Sequence, residues 1–376
     1  MRYCKKCVQP DTRPGIYFDE RGICGACLYE EEKKTIDWDA RAKELRDIVE
    51  SAKKNTKIPY DCAIGVSGGK DSTFQALYVR DVLGLRPLLV NSEPEGITDI
   101  GKHNIENLIS AGFDIIKMRP NPKIIQKMIK RDFYKHMNPV KITEYSLWSS
   151  TYIIAHNFNV PLIIQGENAG LTLGVSKSGV GTDGDALNAN KGNTLSEDWR
   201  SYLTDEISER DLFFYHYDRD LLSKNKIRGI WLQYYLKEWS QSHNAEFSMK
   251  HGLKIKTGFN PEDIGSYVGY FQLDSDLVQI GQVLKHVKFG FGQCTDHACY
   301  DIRDGRITRE EGIELVKKYD GKISDKYVSN FCDYIDITVD EFWQEADKWR
   351  GPMWEKDPKG EWSLKDPIWE QEKCCK

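Results

Sequence analysis

The stretch Ser67-Gly68-Gly69-Lys70-Asp71-Ser72 constrains this chain more than any other feature. An apolar run, Cys62-Ala63-Ile64-Gly65-Val66, precedes it, and a helix-like run, Thr73 to Val79, follows it. Strand, glycine turn and helix start, in that order, make a seat for an anionic phosphate. The first N–H groups of a helix have no intrahelical acceptor and point at whatever lies before them. The two glycines let backbone N–H groups approach such a ligand closely. Ser67 and Ser72 supply hydroxyl donors and Lys70 a compact positive charge. Asp71 adds a carboxylate that can meet a magnesium ion already held by phosphate.

The loop is not a Walker motif, which is longer and ends in Gly-Lys-Ser/Thr. It resembles the S-G-G-x-D-S loop of the PP-loop ATP pyrophosphatases. That resemblance implies ATP cleavage between the α and β phosphates. AMP goes onto a carbonyl-type oxygen, and ammonia or sulfur then displaces it.

Hydrophobic periodicity extends the α/β reading along the chain. Trp38 to Ala52 spaces Leu45, Ile48 and Val49 as one helical face. Buried strands are expected at 87–90, 113–118 and 161–165, and helices at 100–111, 123–136 and 146–157. Strands alternating with helices predict a doubly wound parallel sheet over residues 36–195. Ligands of such sheets bind beyond the carboxyl ends of the strands. Those ends fall at 67–72, 91–98, 119–121 and 166–170. The glycine-rich segment 166–192, with Lys177, Asp183, Asp185 and Lys191, is long for a structureless loop and reads as a functional lid. Residues 196–376 read as mainly helical. Thr308-x-x-Glu311 and Thr338-x-x-Glu341 are capping boxes that mark two helix starts there.

Residues 1–35 form a separate unit. Cys4-x-x-Cys7 and Cys24-x-x-Cys27 can each present two thiolates from a tight knuckle. Four thiolates suit tetrahedral Zn²⁺ in a closed structural site, although iron takes the same ligand set. A module this small has little apolar core, so the metal must supply much of its folding energy. Its few cations, Arg2, Lys5, Lys6, Arg13 and Arg21, do not make a nucleic-acid surface, and it reads as a zinc ribbon capping an enzyme.

Composition narrows the class. A chain that is 40% hydrophobic and 30% charged is of the soluble globular kind, and no run of eighteen apolar residues is long enough to span a membrane. The first residues lack the apolar core of a signal peptide, so a cytoplasmic location is expected. Thiols stay reduced there, and the ten cysteines are expected to be ligands or packing residues. A net charge of -5 argues against a nucleic-acid substrate. Further on, Lys288 to Asp296 leads into Asp301 to Glu311, dense in glycine and charge. Arg303, Arg306 and Arg309 are candidates to neutralise pyrophosphate or a substrate carboxylate, the alternative being a solvated helix start with local ion pairs. Cys294, His297 and Cys299 lack a fourth ligand at metal-binding spacing and read as packing residues.

The four cysteines, the S-G-G-K-D-S loop, Gln165-Gly166-Glu167-Asn168 and the block from Phe289-Gly290-Phe291-Gly292 to Asp304-Gly305-Arg306-Ile307-Thr308-Arg309 occur in that order. In combination the chain resembles the N-acetyl sugar amidotransferases of bacterial surface-polysaccharide synthesis, including lipopolysaccharide O-antigen and flagellin glycans. The resemblance implies conversion of a sugar acetamido group to acetamidino through an O-adenylated imidate. The implied substrate is a nucleotide-linked diacetamido uronic acid or a nonulosonic acid of the pseudaminic type. Ser67, Gly68, Gly69, Lys70, Asp71 and Ser72 would bind the phosphates, with Asp71 positioning Mg²⁺. Asn91 and Ser92 would hold the adenosine. Lys70, Asp71 and Glu167 form the catalytic set, with Glu167 orienting ammonia or binding metal. Trp148, Trp231 and Trp239 are candidates for stacking on the sugar. The chain shows no G-x-C-x-G with H-x-E, and Arg2 stands where an N-terminal glutaminase needs cysteine. The implied ammonia source is therefore a partner glutaminase of the histidine-biosynthesis type. Two other readings remain at this point: a PP-loop tRNA thiolation enzyme, and a zinc-ribbon nucleic-acid binder without activity.

Overall fold

A computed structural model describes residues 1–175, 181–187 and 197–371. Five strands form one parallel sheet: β1 (Cys62–Gly65), β2 (Pro87–Ser92), β3 (Ile115–Met118), β4 (Leu162–Gln165) and β5 (Arg228–Trp231). Their spatial order is β3-β2-β1-β4-β5. The chain runs outward from β1 through β2 to β3, then returns to the other side of β1. The order therefore reverses between β1 and β4, and a crevice opens at the carboxyl edge there. The central strands β1 and β4 are buried and mainly apolar because helices cover both faces of the sheet. Ala63, Ile64, Ile163 and Ile164, which pair across β1 and β4, are fully buried.

The helices before the reversal are α1 (Gly25–Glu32), α2 (Trp38–Asn55), α3 (Lys70–Asp81), α4 (Asp99–Ser110), α5 (Pro122–His136) and α6 (Lys141–Phe158). Asp37 caps α2 by accepting from the Ala40 N–H, and Thr98 caps α4 by accepting from Gly101. Next come α7 (Ala169–Thr172), α8 (Arg219–Lys224), α9 (Leu232–Tyr235) and α10 (Gln241–Lys250), which lies along α3. The C-terminal part holds α11 (Pro261–Ile264), α12 (Leu277–Phe289), α13 (Gln293–Arg303), α14 (Arg309–Tyr319), α15 (Asp325–Ile335), α16 (Val339–Asp347) and α17 (Ile368–Gln371). A hairpin of β6 (Trp354–Lys356) and β7 (Trp362–Leu364) precedes α17.

Two cores tie the C-terminal helices back to the rest. Met128 and Phe133 of α5 pack with Phe331 of α15 and Phe342 of α16, the Phe133 and Phe342 rings stacking at 5.3 Å. The four N-terminal cysteines share a cluster with Cys294, Ala298 and Cys299 of α13 and Ile313 and Val316 of α14.

The expected elements recur with three differences. Strand β5 lies in the region expected to be mainly helical, so the sheet continues past residue 195. Helix α6 starts at Lys141 and not at Ser146. The Thr308–Glu311 box is reciprocal, whereas Thr338 accepts from the Glu341 N–H without a return bond. The proposed lid falls partly outside the described residues, Lys177 and Lys191 included. Among the described residues no helix is long and apolar enough to cross a membrane.

Candidate functional site

The loop after β1 is held open by one backbone choice. Gly68 sits at φ +79°, and a Cβ there would lie 3.2 Å from both the Asn104 Cβ and the Gly101 carbonyl oxygen. Asn104, buried on α4, fixes the turn. Its amide donates to the Gly68 carbonyl at 2.9 Å and to the Lys254 carbonyl at 3.0 Å, and its oxygen accepts from the Lys254 N–H. Gly69 is the N-cap residue of α3 and offers no side-chain acceptor, so the first N–H groups of a twelve-residue helix are left for a ligand. The Ser72 hydroxyl donates to the Gly69 carbonyl at 3.2 Å.

Lys70 is only 4% exposed. Its Nζ lies 2.7 Å from Asp71 Oδ2 and 4.0 Å from the Phe271 ring centre. The second Asp71 oxygen accepts from the Asn244 amide at 2.8 Å, and the Ser248 hydroxyl donates to the Lys70 carbonyl. Asn244 and Ser248 are four residues apart on α10, which places both on the face toward α3.

Asn91 and Ser92 end β2. The Asn91 amide donates to the Val66 carbonyl at 2.7 Å and is 2% exposed, so it braces the strand leading into the loop. Ser92 faces Ser146 of α6. Ser67, Gly69, Lys70, Asp71, Ser72 and Ser92 all line one cavity of about 340 Å³, closed from the C-terminal side by the 270–278 segment and Phe331. Thr98 donates to the Leu273 carbonyl and its N–H to the Asp274 carbonyl, which clamps that segment over the loop.

A second cavity of about 650 Å³ adjoins the first, with Val140 and Glu144 lining both. Glu167, Trp148 and Trp231 line it, the two indoles meeting edge to face at 5.6 Å. Trp239 does not: it packs on Phe74 in the sheet core. Burial pushes the Glu167 carboxyl up to about 6, the nearby Asp71 charge adds to that, and Lys70 opposes it. This cavity is rich in cations. Lys141 pairs with Glu197 at 2.6 Å and Lys285 with Asp296 at 2.6 Å. Lys288 donates to the His136 carbonyl at 2.7 Å, and burial together with the Lys141 charge brings it down to about 8. No cysteine is among the described residues lining either cavity.

Arg303, Arg306 and Arg309 are not part of either wall, which favours the local-contact alternative of the two sequence-based readings. Arg303 donates to the Thr172 carbonyl, Arg306 pairs with Glu246, and Arg309 donates to the Cys4 and Cys7 carbonyls. Their contacts are local, against α7, α10 and the N-terminal module respectively. Tyr270, Phe271, Asn104 and Asn244 at the first site, and Lys288 at the second, carried no sequence signal.

Cys4, Cys7, Cys24 and Cys27 are buried, and their sulfur atoms lie within 4.8 Å of one another. Cys7 Sγ and Cys24 Sγ are 3.7 Å apart. Tetrahedral zinc with Zn–S bonds of ~2.3 Å has sulfur–sulfur edges of about 3.8 Å, so the donors fit such an ion. The Lys6 and Cys24 N–H groups donate to Cys4 Sγ, as expected of a thiolate acceptor. The cluster can thus hold one tetrahedral metal ion with no open position.

Fold and sites together define a parallel α/β protein with an uncapped helix start facing a cavity at the carboxyl edge of its sheet and a buried four-cysteine cluster. Residues 264–369 match the family described as LPS biosynthesis protein WbpG-like, C-terminal domain. No curated protein matches the chain.

Proposed function

We propose that the chain is an ATP-dependent amidotransferase of the PP-loop type that acts on an acetamido sugar in lipopolysaccharide or related surface-glycan synthesis. The observation that carries this reading is the loop itself. Ser67 to Ser72 present the start of α3 to a cavity that shares a wall with a larger, cation-rich, tryptophan-lined one. An adenine nucleotide in the first cavity would place its phosphates on the loop, and a sugar in the second would bring its amide oxygen up to them. The match of residues 264–369 to a family described by LPS biosynthesis supports the sugar context.

An amide carbon is a poor electrophile, so oxygen activation is the step that needs ATP. The amide oxygen attacks the α-phosphorus, the bond to the bridging oxygen breaks, and pyrophosphate leaves with the electron pair. The resulting O-adenylated imidate accepts ammonia at carbon, and AMP departs with the former amide oxygen. The balance is amide, ATP and ammonia to amidine, AMP and pyrophosphate. The loop N–H groups and Lys70 stabilise the oxygens that gain charge. To do so, Lys70 exchanges Asp71 for phosphate. Glu167, with its raised pKa, is suited to accept a proton from the adding ammonia near neutral pH.

Mg²⁺ is accommodated by hard oxygen donors. The side-chain oxygens of Gln241 and Asn244 are buried without a hydrogen-bond partner, beside Glu167 and Asp71 respectively. Such an ion would neutralise the pyrophosphate as it leaves. Zinc at the four cysteines is structural in this reading, and ammonia arrives from a separate glutaminase of the histidine-biosynthesis type. Sulfur transfer to tRNA is disfavoured, since none of the described residues lining the cavities is a sulfur carrier.

The test is turnover of purified protein with ATP, Mg²⁺, ammonium and acetamido sugars. AMP and pyrophosphate should appear in equal amounts, and the sugar should lose about one mass unit as oxygen becomes NH. Lys70→Ala should reduce turnover by ~10³-fold or more. Formation of ADP, or full activity in Lys70→Ala, would overturn the assignment.

A further inference from the structure

The cysteine centre and the Glu167 segment touch at two points. First, α1, which carries Cys27 and directly follows Cys24, meets the chain just after α7 backbone to backbone. A Cβ on Gly174 (φ +69°) would collide with the Ala26 nitrogen and the Gly25 backbone, and a Cβ on Gly25 would lie 3.1 Å from the Gly174 Cα. Only glycines allow this approach. Second, Arg303 of α13 donates to the Thr172 carbonyl, the last residue of α7, at 3.1 Å. Between these contacts and β4 lie Glu167 and Asn168, whose amide caps α7.

Arg303 has no carboxylate at ion-pair distance among the described residues. It follows Cys299, which packs against the N-terminal cysteines, by one helical turn. A four-thiolate zinc centre carries a net charge of about -2, which a buried guanidinium offsets. Arg309 adds donors to the carbonyls of Cys4 and Cys7.

We propose that the metal-loaded cysteine centre is a clasp that positions the Glu167 segment, with Arg303 as the positioning residue shared between the centre and Thr172. Loss of the metal would loosen the knuckles that seat α1 and α13, and free α1 and α7 together. The sheet would keep its own core.

The inference is independent of the proposed chemistry, because its readouts are metal retention and backbone exchange. Hydrogen exchange by mass spectrometry is compared for the full-length zinc-loaded protein and the same protein after chelator stripping. Peptides covering 25–32 and 166–174 should exchange roughly tenfold faster after stripping, while those covering β1 and β2 stay protected. Arg303→Gln should bind one metal with an unchanged cobalt-substituted absorption spectrum. It should also release zinc to a chromogenic chelator several-fold faster and show the raised exchange at 166–174. Arg303→Lys should restore part of both. If Arg303→Gln does not fold, Gly174→Ala offers a second wedge, with raised exchange expected at 25–32 and 166–174. Unchanged exchange at 166–174 after stripping would overturn the clasp. So would loss of protection across β1 and β2, which would make the centre a staple for the whole fold.

Discussion

Single residues decide the chemistry of the loop. Gly68 adopts a left-handed backbone conformation against two close neighbours. Gly68→Ala should therefore destabilise the protein by about 1–2 kcal/mol and weaken ATP binding more than tenfold. Thermal unfolding and calorimetric titration with ATP would measure both, and wild-type affinity would contradict the loop assignment. Glu167 owes part of its raised pKa to the Asp71 charge. Asp71→Asn removes that charge, so the Glu167 pKa should fall from about 6 toward the ordinary carboxylate value. Carbon-13 NMR of the side-chain carboxyl reads the change, and a rise would show that Asp71 acts on Glu167 chiefly through Lys70. At this scale the sequence spoke clearly for residues 67–72, because glycines and serines between a strand and a helix have few other uses. It was silent on Phe271 and Asn104, since an aromatic ring over a lysine and an amide bracing a turn need partners 200 and 36 residues away.

Elements show where local pattern ends and tertiary context begins. Strands β1 to β4 were legible as short apolar runs. Strand β5 was not: Arg228-Gly229-Ile230-Trp231 opens with a charge and a glycine, and becomes a strand only because β4 offers it an unpaired edge. Helix α6 began unannounced because Val140 provides no side-chain cap. Helix α5 carries a buried carboxylate, Asp132, which accepts from the Tyr202 hydroxyl at 2.8 Å. Burial pushes it up to about 6, against the opposing pull of the Tyr202 bond and the Arg131 charge. The folded state thus holds this proton to higher pH than the unfolded state does. The group's contribution to stability is greatest below about pH 4 and is lost as pH climbs through 6. Asp132→Asn lacks the titration. Urea unfolding should show the variant gaining on the wild type by on the order of 2 kcal/mol between pH 4 and pH 7.5. A pH-independent difference would place the ordinary carboxylate pKa at this site.

The whole molecule is woven from distant segments. One core joins α5 and α6 to helices after residue 276, and another joins the first 27 residues to α13 and α14. A fragment ending at residue 263 should therefore not behave as a smaller version of the protein. Met128, Phe133 and Ile142 would lose their cover, and the fragment should bind a hydrophobic dye and melt without a cooperative transition. A sharp melt at the full-length temperature would show that the sheet domain stands alone. The four-cysteine pattern was readable because metal geometry dictates its spacing. That the centre would be buried against α13, nearly 300 residues downstream, lies beyond what any local spacing records.

The wall closing the cavity beside the Ser67–Ser72 loop has a consequence for the order of events in synthesis. Phe271, Leu277 and Phe331 leave the ribosome some 200 or more residues after the loop they cover. Until they emerge, the nascent chain offers a half-built cradle open to bulk water. The cavity beside the loop is therefore complete only once residues as far along as Phe331 have emerged and folded back.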